Sequence, residues 1–205
     1  MAVPTDESVV ELDAFDASLF WYRHRKNFLL GAAAVVILGG GSLAWYVSST
    51  LTNRAAEDAL AVAKDIPAYE ALTKNYRGTM PAADALLLLA SAQRDAGKIG
   101  ESTATFQSFL KTYPDHPLAG GALLGVGQNQ DASGKSSDAA ATFQQVAEKY
   151  PASYAAPFAR YAQAEILLRD FRRDEARAAF ETIQADFPGS VVARLAAAQL
   201  ARLKQ

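Results

Sequence analysis

The chain is predicted to be all-α, with one membrane-spanning helix followed by a stack of two-helix hairpins. Three observations predict this. From Asn27 to Asn53 no residue is charged, and the apolar centre, Phe28 to Val47, is twenty residues long. Beyond it, one aromatic recurs every 37 positions, as Tyr69, Phe106, Phe143 and Phe180. Finally, the large apolar residues around each recurrence fall at i, i+3, the spacing of one buried helix face.

The apolar centre fits a bilayer. At 1.5 Å per residue it makes about 30 Å of helix, the thickness of the hydrocarbon core. Trp21-Tyr22 and Trp45-Tyr46 flank it, where aromatic rings prefer the headgroup level. The cluster Arg23-His24-Arg25-Lys26 precedes it, and the following Arg54 is soon answered by Glu57 and Asp58. The positive-inside rule then keeps residues 1–26 in the cytoplasm and exports the rest. A cleaved signal peptide competes with this reading, because Ser42-Leu43-Ala44 has the look of a cleavage motif. Against it stands the long first segment with Asp6, Glu7, Glu11, Asp13 and Asp16, unlike a short basic leader. We therefore expect a retained signal-anchor over 27–49, in contact with lipid through 28–47, and a connecting helix over 50–65. Gly40 and Ala44 form a small-xxx-small pair suited to close helix approach within the membrane. Met1 to Leu19 is expected to be a solvated acidic tail, with an amphipathic docking segment through Val9, Val10, Leu12 and Phe15 as the alternative.

The 37-residue register extends to further columns. Tyr76, Tyr113, Tyr150 and Phe187 align, followed by Arg77, Pro114, Pro151 and Pro188. Ala82, Ala119, Ala156 and Ala193 align, as do Leu72, Phe109, Val146 and Ile183. Ala90, Gly127, Ala164 and Ala201 form another column. A fixed period of this size signals a stacked-repeat protein. Within a unit, Ala90, Gly127 or Ala164 is paired with Ser102, Ala139 or Ala176, so two backbones can approach closely. The proline closes the second helix, since it cannot extend the hydrogen-bond ladder. Gly97-Lys98 and Gly134-Lys135 are suited to end the first helix. The third copy has Phe171-Arg172 there, so its turn is expected to differ.

Small residues at Gly127 and Ala139, the aromatic Phe143 and the closing Pro151 resemble the tetratricopeptide repeat. The resemblance covers 66–205, with copies near 66–81, 82–118, 119–155 and 156–192 and a capping helix over 190–204. The first copy lacks the proline. Three additional residues follow each closing proline, as in Pro114 to Ala119, and such linkers look like those of bacterial envelope members. The resemblance implies a right-handed helical solenoid whose first helices line an inner groove. Its groove positions fall on Asp84, Leu87, Ser91, Arg94 and Asp95; then on Leu124, Gln128 and Asp131; then on Phe158, Tyr161, Glu165 and Arg169. The family's carboxylate clamp needs Lys and Asn where this chain has Leu87 and Ser91, Leu124 and Gln128, or Tyr161 and Glu165, so that clamp is absent. A mixed apolar and polar groove suits a peptide bound without a strict charge code.

Catalytic chemistry finds no foothold. Adjacent carboxylates such as Asp174-Glu175 or Glu57-Asp58 diverge on a helix. Gly39-Gly40-Gly41 lies within the apolar span and lacks the following Lys-Ser/Thr of a phosphate loop. His116 reads as a linker residue, and the charges from Arg169 to Asp174 as a solvated turn. The chain has no cysteine, which excludes disulfides, thiol nucleophiles, thiolate metal sites and a lipidated cysteine. With only His24 and His116, a histidine metal site is not expected. Past Asn53 basic and acidic residues are equal in number, so no pull towards nucleic acid arises. A non-enzymatic protein without cofactor, metal or small-molecule substrate is expected.

An anchor followed directly by repeats resembles the ancillary subunit of the bacterial SecYEG translocon, which implies translocon subunits and periplasmic chaperones as partners. The linkers also resemble the division coordinator of the Tol-Pal system and outer-membrane assembly lipoproteins. A third reading is a structural adaptor that self-associates through Gly40 and Ala44.

Overall fold

A computed structural model describes residues 17–203, and the chain divides after Leu51 into two units. The acidic tail with Val9, Val10, Leu12 and Phe15 lies outside the described residues. Among those described, nine α-helices and no strand are present: α1 (Ala17–Val62), α2 (Ile66–Asn75), α3 (Met80–Asp95), α4 (Ile99–Thr112), α5 (Ala119–Ala132), α6 (Ser136–Lys149), α7 (Ala155–Arg169), α8 (Arg173–Asp186) and α9 (Val191–Leu203).

In the first unit α1 is apolar on every side. Val35, Ile37 and Leu38 are each more than 70% exposed, which suits a helix solvated by lipid rather than by a protein core. It is the one helix among the described residues long and apolar enough to cross a membrane, with mean hydropathy 1.9. Ser42 and Thr50 return their hydroxyl protons to the carbonyls of Leu38 and Tyr46, so these polar groups are satisfied within the helix. The Trp21 ring lies 5.6 Å from that of Phe28. Around Gly40 no neighbouring atom approaches within 4 Å of a Cβ position, and Ala44 is exposed.

The second unit is a solenoid in which each helix packs on the next. Asp65 starts α2 by accepting from the Ala68 amide at 2.9 Å, and Thr79 starts α3 by accepting from Ala82 at 3.2 Å. Pro67 and Pro81 stand in these first turns, where no amide proton is needed. The helices α4, α6 and α8 end at Thr112, Lys149 and Asp186, just ahead of Tyr113-Pro114, Tyr150-Pro151 and Phe187-Pro188.

The aligned apolar columns supply the core, while the prolines that close the second helices stay exposed. Phe109, Val146 and Ile183 are at most 1% exposed, as are Phe143 and Phe180. Each core cluster joins a hairpin to the first helix of the following unit. Phe106 and Phe109 of α4, for example, pack with Ala83 and Ala90 of α3 and with Ala119, Ala122 and Val126 of α5. At the start of the stack, Ala59 and Leu60 of α1 pack around Leu72, Ala82 and Ala85. Ala201 is exposed, in contrast to its column-mates Ala90, Gly127 and Ala164, because among the described residues no second helix follows α9 to pack on it.

Gly127 has a specific steric reason. A Cβ there would lie 2.5 Å from Cε1 of Phe143, a ring buried to 1% exposure. Hydrogen bonds also tie the two helices of a hairpin. Thr105 donates to the Gln93 side chain at 2.7 Å, and at the equivalent place Thr142 donates to Gln130 at 2.7 Å. In the third hairpin those two positions hold Leu167 and Ala179.

The turns correct one expectation. Gly97 and Gly134 have φ of 75° and 77°, and Phe171 adopts the same left-handed conformation with φ 61°. Its hydrogen bonds also match. The Lys98, Lys135 and Arg172 amides reach back to the carbonyls of Gln93, Gln130 and Leu167 at 2.8, 2.9 and 2.9 Å. The third turn therefore keeps the Schellman geometry of the others. The paired backbone bonds and the packing of α7 on α8 hold the shape, and the side chain bears the strain.

Two stability outcomes follow. Because Phe171 is 91% exposed, F171G removes strain without removing packing and is expected to stabilise the fold by about 1 kcal/mol, whereas F171A leaves it nearly unchanged; denaturant midpoints decide. G127A should lower stability by about 1–3 kcal/mol despite alanine's better helix propensity. A raised midpoint for G127A would contradict the packing argument.

Candidate protein-binding surface

The residues expected to line the inner groove come from the first helices of the hairpins, α3, α5 and α7. Neighbouring first helices touch along the stack, α5 with α7 and α7 with α9. Leu87, Ser91, Arg94, Leu124 and Gln128 come together around a hollow of about 280 Å³, joined by Leu118, Gly121 and Tyr154. Leu124, however, is only 7% exposed and packs with Ala139 and Phe143 in the core. Ser91 donates to the Leu87 carbonyl of its own helix at 3.0 Å.

The polar residues of this face stitch one unit to the next. Arg94 donates from Nε to Asn129 Oδ1 at 2.6 Å, from Nη1 to Gln128 Oε1 at 2.6 Å and from Nη2 to the Gly125 carbonyl at 2.9 Å. Its guanidinium also lies 5.2 Å above the Phe106 ring, a cation–π contact. Burial draws the Arg94 pKa below its usual range, with Asp95 opposing. Asn129, fully buried, passes the connection on to Ser102 Oγ at 2.9 Å and Thr103 Oγ1 at 3.1 Å. One network thus joins α3, α5 and α4.

At the following junction Asp131 of α5 pairs with Arg169 of α7. The hydrogen bond from Arg169 to Asp131 raises the Arg169 pKa. At the last junction Gln199 of α9 donates to the Tyr161 hydroxyl at 3.1 Å. The Tyr161 ring lies 5.4 Å from Phe180. Burial raises its phenol pKa, with neighbouring Glu165 adding to the rise and the Gln199 bond opposing it. Arg94, Gln128, Asp131, Tyr161 and Arg169 are thus engaged within the fold, although Gln128 and Arg169 stay exposed; Leu87 is half-buried, and Ser91, Asp95, Phe158 and Glu165 are exposed.

Sequence reasoning missed Asn129 as the hub of a buried network. It also missed a cleft of about 590 Å³ on another side of α7, whose lining includes Gln144, Arg160, Gln163, Leu167, Ala179 and Thr182. The repetition of Gln93 and Thr105 as Gln130 and Thr142 was an available signal for the polar ties. His116 is a linker residue whose side chain is tucked against the core: its Nδ1 accepts from the Leu118 amide at 3.2 Å, and its ring meets Phe109 edge-on at 5.2 Å. Among the described residues, no three His, Asp or Glu side chains converge where they could hold a metal ion.

Three successive helical hairpins, joined by proline-closed linkers around small-to-aromatic contacts, define a helical-repeat scaffold. Residues 84–116, 122–153 and 158–190 match the tetratricopeptide repeat model, so the chain carries three tetratricopeptide repeats. Its fold is similar to a tetratricopeptide repeat protein from Parabacteroides merdae, with TM-score 0.55 and 18% identity over 77% of this chain. The chain spans 60% of the length of that protein. It is also similar to nearly identical TPR-like repeats from Podosopora anserina, with TM-score 0.54, 15% identity and coverage of 78% of this chain and 85% of the other. No curated protein compared with the chain matches it. Tetratricopeptide domains bind proteins or peptides, typically as non-catalytic scaffolds.

The polar network yields a direct test. R94A leaves Asn129 and Gln128 without their donor and is expected to cost about 1–3 kcal/mol; R94K recovers only part, since an ammonium cannot reproduce the planar fork. Equal stability of R94A and the parent in denaturant titration would remove Arg94 from the inter-repeat tie.

Proposed function

We propose that the chain is a single-pass, membrane-anchored scaffold whose exported repeat domain holds segments of other proteins. In this reading it assists protein translocation or hand-over to periplasmic chaperones at the bacterial inner membrane. The observation that carries it is the presence, in one chain, of an apolar helix with no protein core around it and a tetratricopeptide domain. The basic cluster from Arg23 to Lys26 supports a cytoplasmic N-terminus. The resemblance to the translocon's ancillary subunit supports the cellular setting. Gly40 and Ala44, open on the surface of α1, are positions for packing against another membrane helix. On the repeat domain, Leu87, Ser91, Asp95, Phe158 and Glu165 are groove positions open to a ligand, and Arg94, Gln128, Asp131, Tyr161 and Arg169 line the same face while tied to neighbouring helices.

The absence of native cysteine makes orientation directly measurable. A cysteine replacing exposed Gly100 should react with an impermeant maleimide in intact spheroplasts, and one replacing Asp6 only after lysis; the reverse pattern would overturn the orientation. For partners, a photo-crosslinking residue at Ser91 or Phe158 is expected to capture translocon subunits or emerging secretory chains. Capture of division or outer-membrane assembly proteins, with nothing from the translocon, would replace this reading with the envelope-adaptor one.

A further inference from the structure

We infer that two copies of this chain pair through their third hairpins, each inserting Phe171 into the cleft beside α7 of the other. This goes beyond the scaffold reading, because it assigns the surface around α7 and α8 and a second copy rather than a ligand of the groove.

Three departures from the repeat gather on one surface. At positions 97, 134 and 171, one period apart, the turns hold Gly97, Gly134 and Phe171. Phe171 takes the left-handed backbone of the two glycines, with φ 61°, a conformation that strains any side chain. Its ring is 91% exposed, so nothing within its own chain offsets either the strain or the wetting of the ring. Strain held at an exposed position points to a use outside the fold. The other two departures are Leu167 and Ala179, which stand where the first two hairpins have their Gln–Thr tie. Both line the cleft of about 590 Å³ and, with Ile166 and Ala140, give it an apolar side. The hairpin requires none of the three, since its two predecessors form the same turn with Gly and hold their helices with Gln and Thr.

Projection and recess belong to one patch. Asp170 and Arg172, on either side of Phe171 in the chain, line the cleft themselves, so the exposed ring stands at its edge. A surface that carries a projection beside a recess is complementary to itself: a two-fold rotation sets each projection into the other recess. A cleft of this volume encloses a small molecule and is ample for a phenyl ring. A foreign partner would have to supply a pocket and a projection at matching separation, whereas a second copy has both by construction. Charge favours the same pairing. The stretch from Arg169 to Glu175 holds three basic and three acidic residues, so two such turns do not repel. A two-fold axis at the turn sets exposed Asp170 of one copy against Arg172 of the other, while Arg169 is drawn aside to Asp131 and Arg173 to the Leu203 carbonyl.

The test uses the full chain. A photo-crosslinking benzoylphenylalanine at Phe171 keeps an aromatic ring on the projection. Irradiation in native membranes is expected to give a product of twice the chain mass, with peptide mapping placing the adduct on residues that line the cleft. In detergent micelles, sedimentation equilibrium is expected to show a dimer. F171G should raise its Kd by about tenfold or more for each ring lost, about a hundredfold for the pair, while F171W stays near the parent. Glycine suits the turn, so F171G keeps the fold, which circular dichroism verifies. A monomeric parent would overturn the proposal. So would a dimer that F171G leaves intact, which would move the association to α1, or irradiation that joins position 171 only to lipid or to a different protein. Capture at Ser91 is expected to be unchanged in F171G, so failure of the pairing and failure of the scaffold reading are told apart.

Discussion

A large ring set against a missing or minimal side chain is the contact on which the repeat domain depends. Phe143 occupies space that any Cβ at Gly127 would invade, and Phe106 and Phe180 take the same place against Ala90 and Ala164 in the units either side. Dispersion between close-packed surfaces accumulates atom by atom, and a helix can present a flat surface only where its side chains are small. Once that contact sets the crossing of two helices, the i+3 neighbour, Phe109, Val146 or Ile183, is carried onto the first helix of the next unit. The hairpin and the stack are thus consequences of one contact repeated. That is the economy of a one-dimensional architecture, where each unit needs only its neighbours.

Burial was legible in the sequence because it repeats. Columns of Phe, Ala and Leu kept their spacing since every unit solves the same packing problem, and the structure buries those columns except at the ends of the stack, where Tyr69 is half-buried and Ala201 exposed. Polar partnerships were less legible. Arg94 finds Gln128 and Asn129, Asp131 finds Arg169, and Tyr161 finds Gln199, three different chemistries at three junctions. Such bonds depend on where long side chains point, which no period encodes. For the same reason Leu124, placed on the groove by register, turns out to belong to the core. The turn at Phe171 shows the converse: residue preference argued for a different shape, while the hydrogen bonds and helix packing around the turn demand the shape its neighbours have.

The three junctions therefore differ in character although the helices they join are alike. The first is a buried network centred on Asn129, stiff because each of its members has a partner in low dielectric. The second is a partly exposed ion pair, worth little on its own and screened by salt, beside a bond from Gln163 to the Ala140 carbonyl at 3.0 Å. The third joins α9 through the Tyr161 phenol and through a long bond from Arg173 to the Leu203 carbonyl. Order along the stack is thus graded rather than uniform, and the most constrained junction lies between the first and second matched repeats.

The replacement of the Gln–Thr tie by Leu167 and Ala179 in the third hairpin gives that gradient a mechanical meaning. Hydrogen bonds have direction and resist sliding, whereas apolar surfaces of similar texture tolerate small displacements along their contact. Helices α3 on α4 and α5 on α6 are pinned in register at 2.7 Å by a tie inside the hairpin, whereas α7 and α8 pack apolar surface at that site, beside the cleft that contains both residues. Their directional bond is instead the partly exposed pair of Arg160 with Asp186. The third hairpin thus wears its register pin on the outside, where salt can screen it.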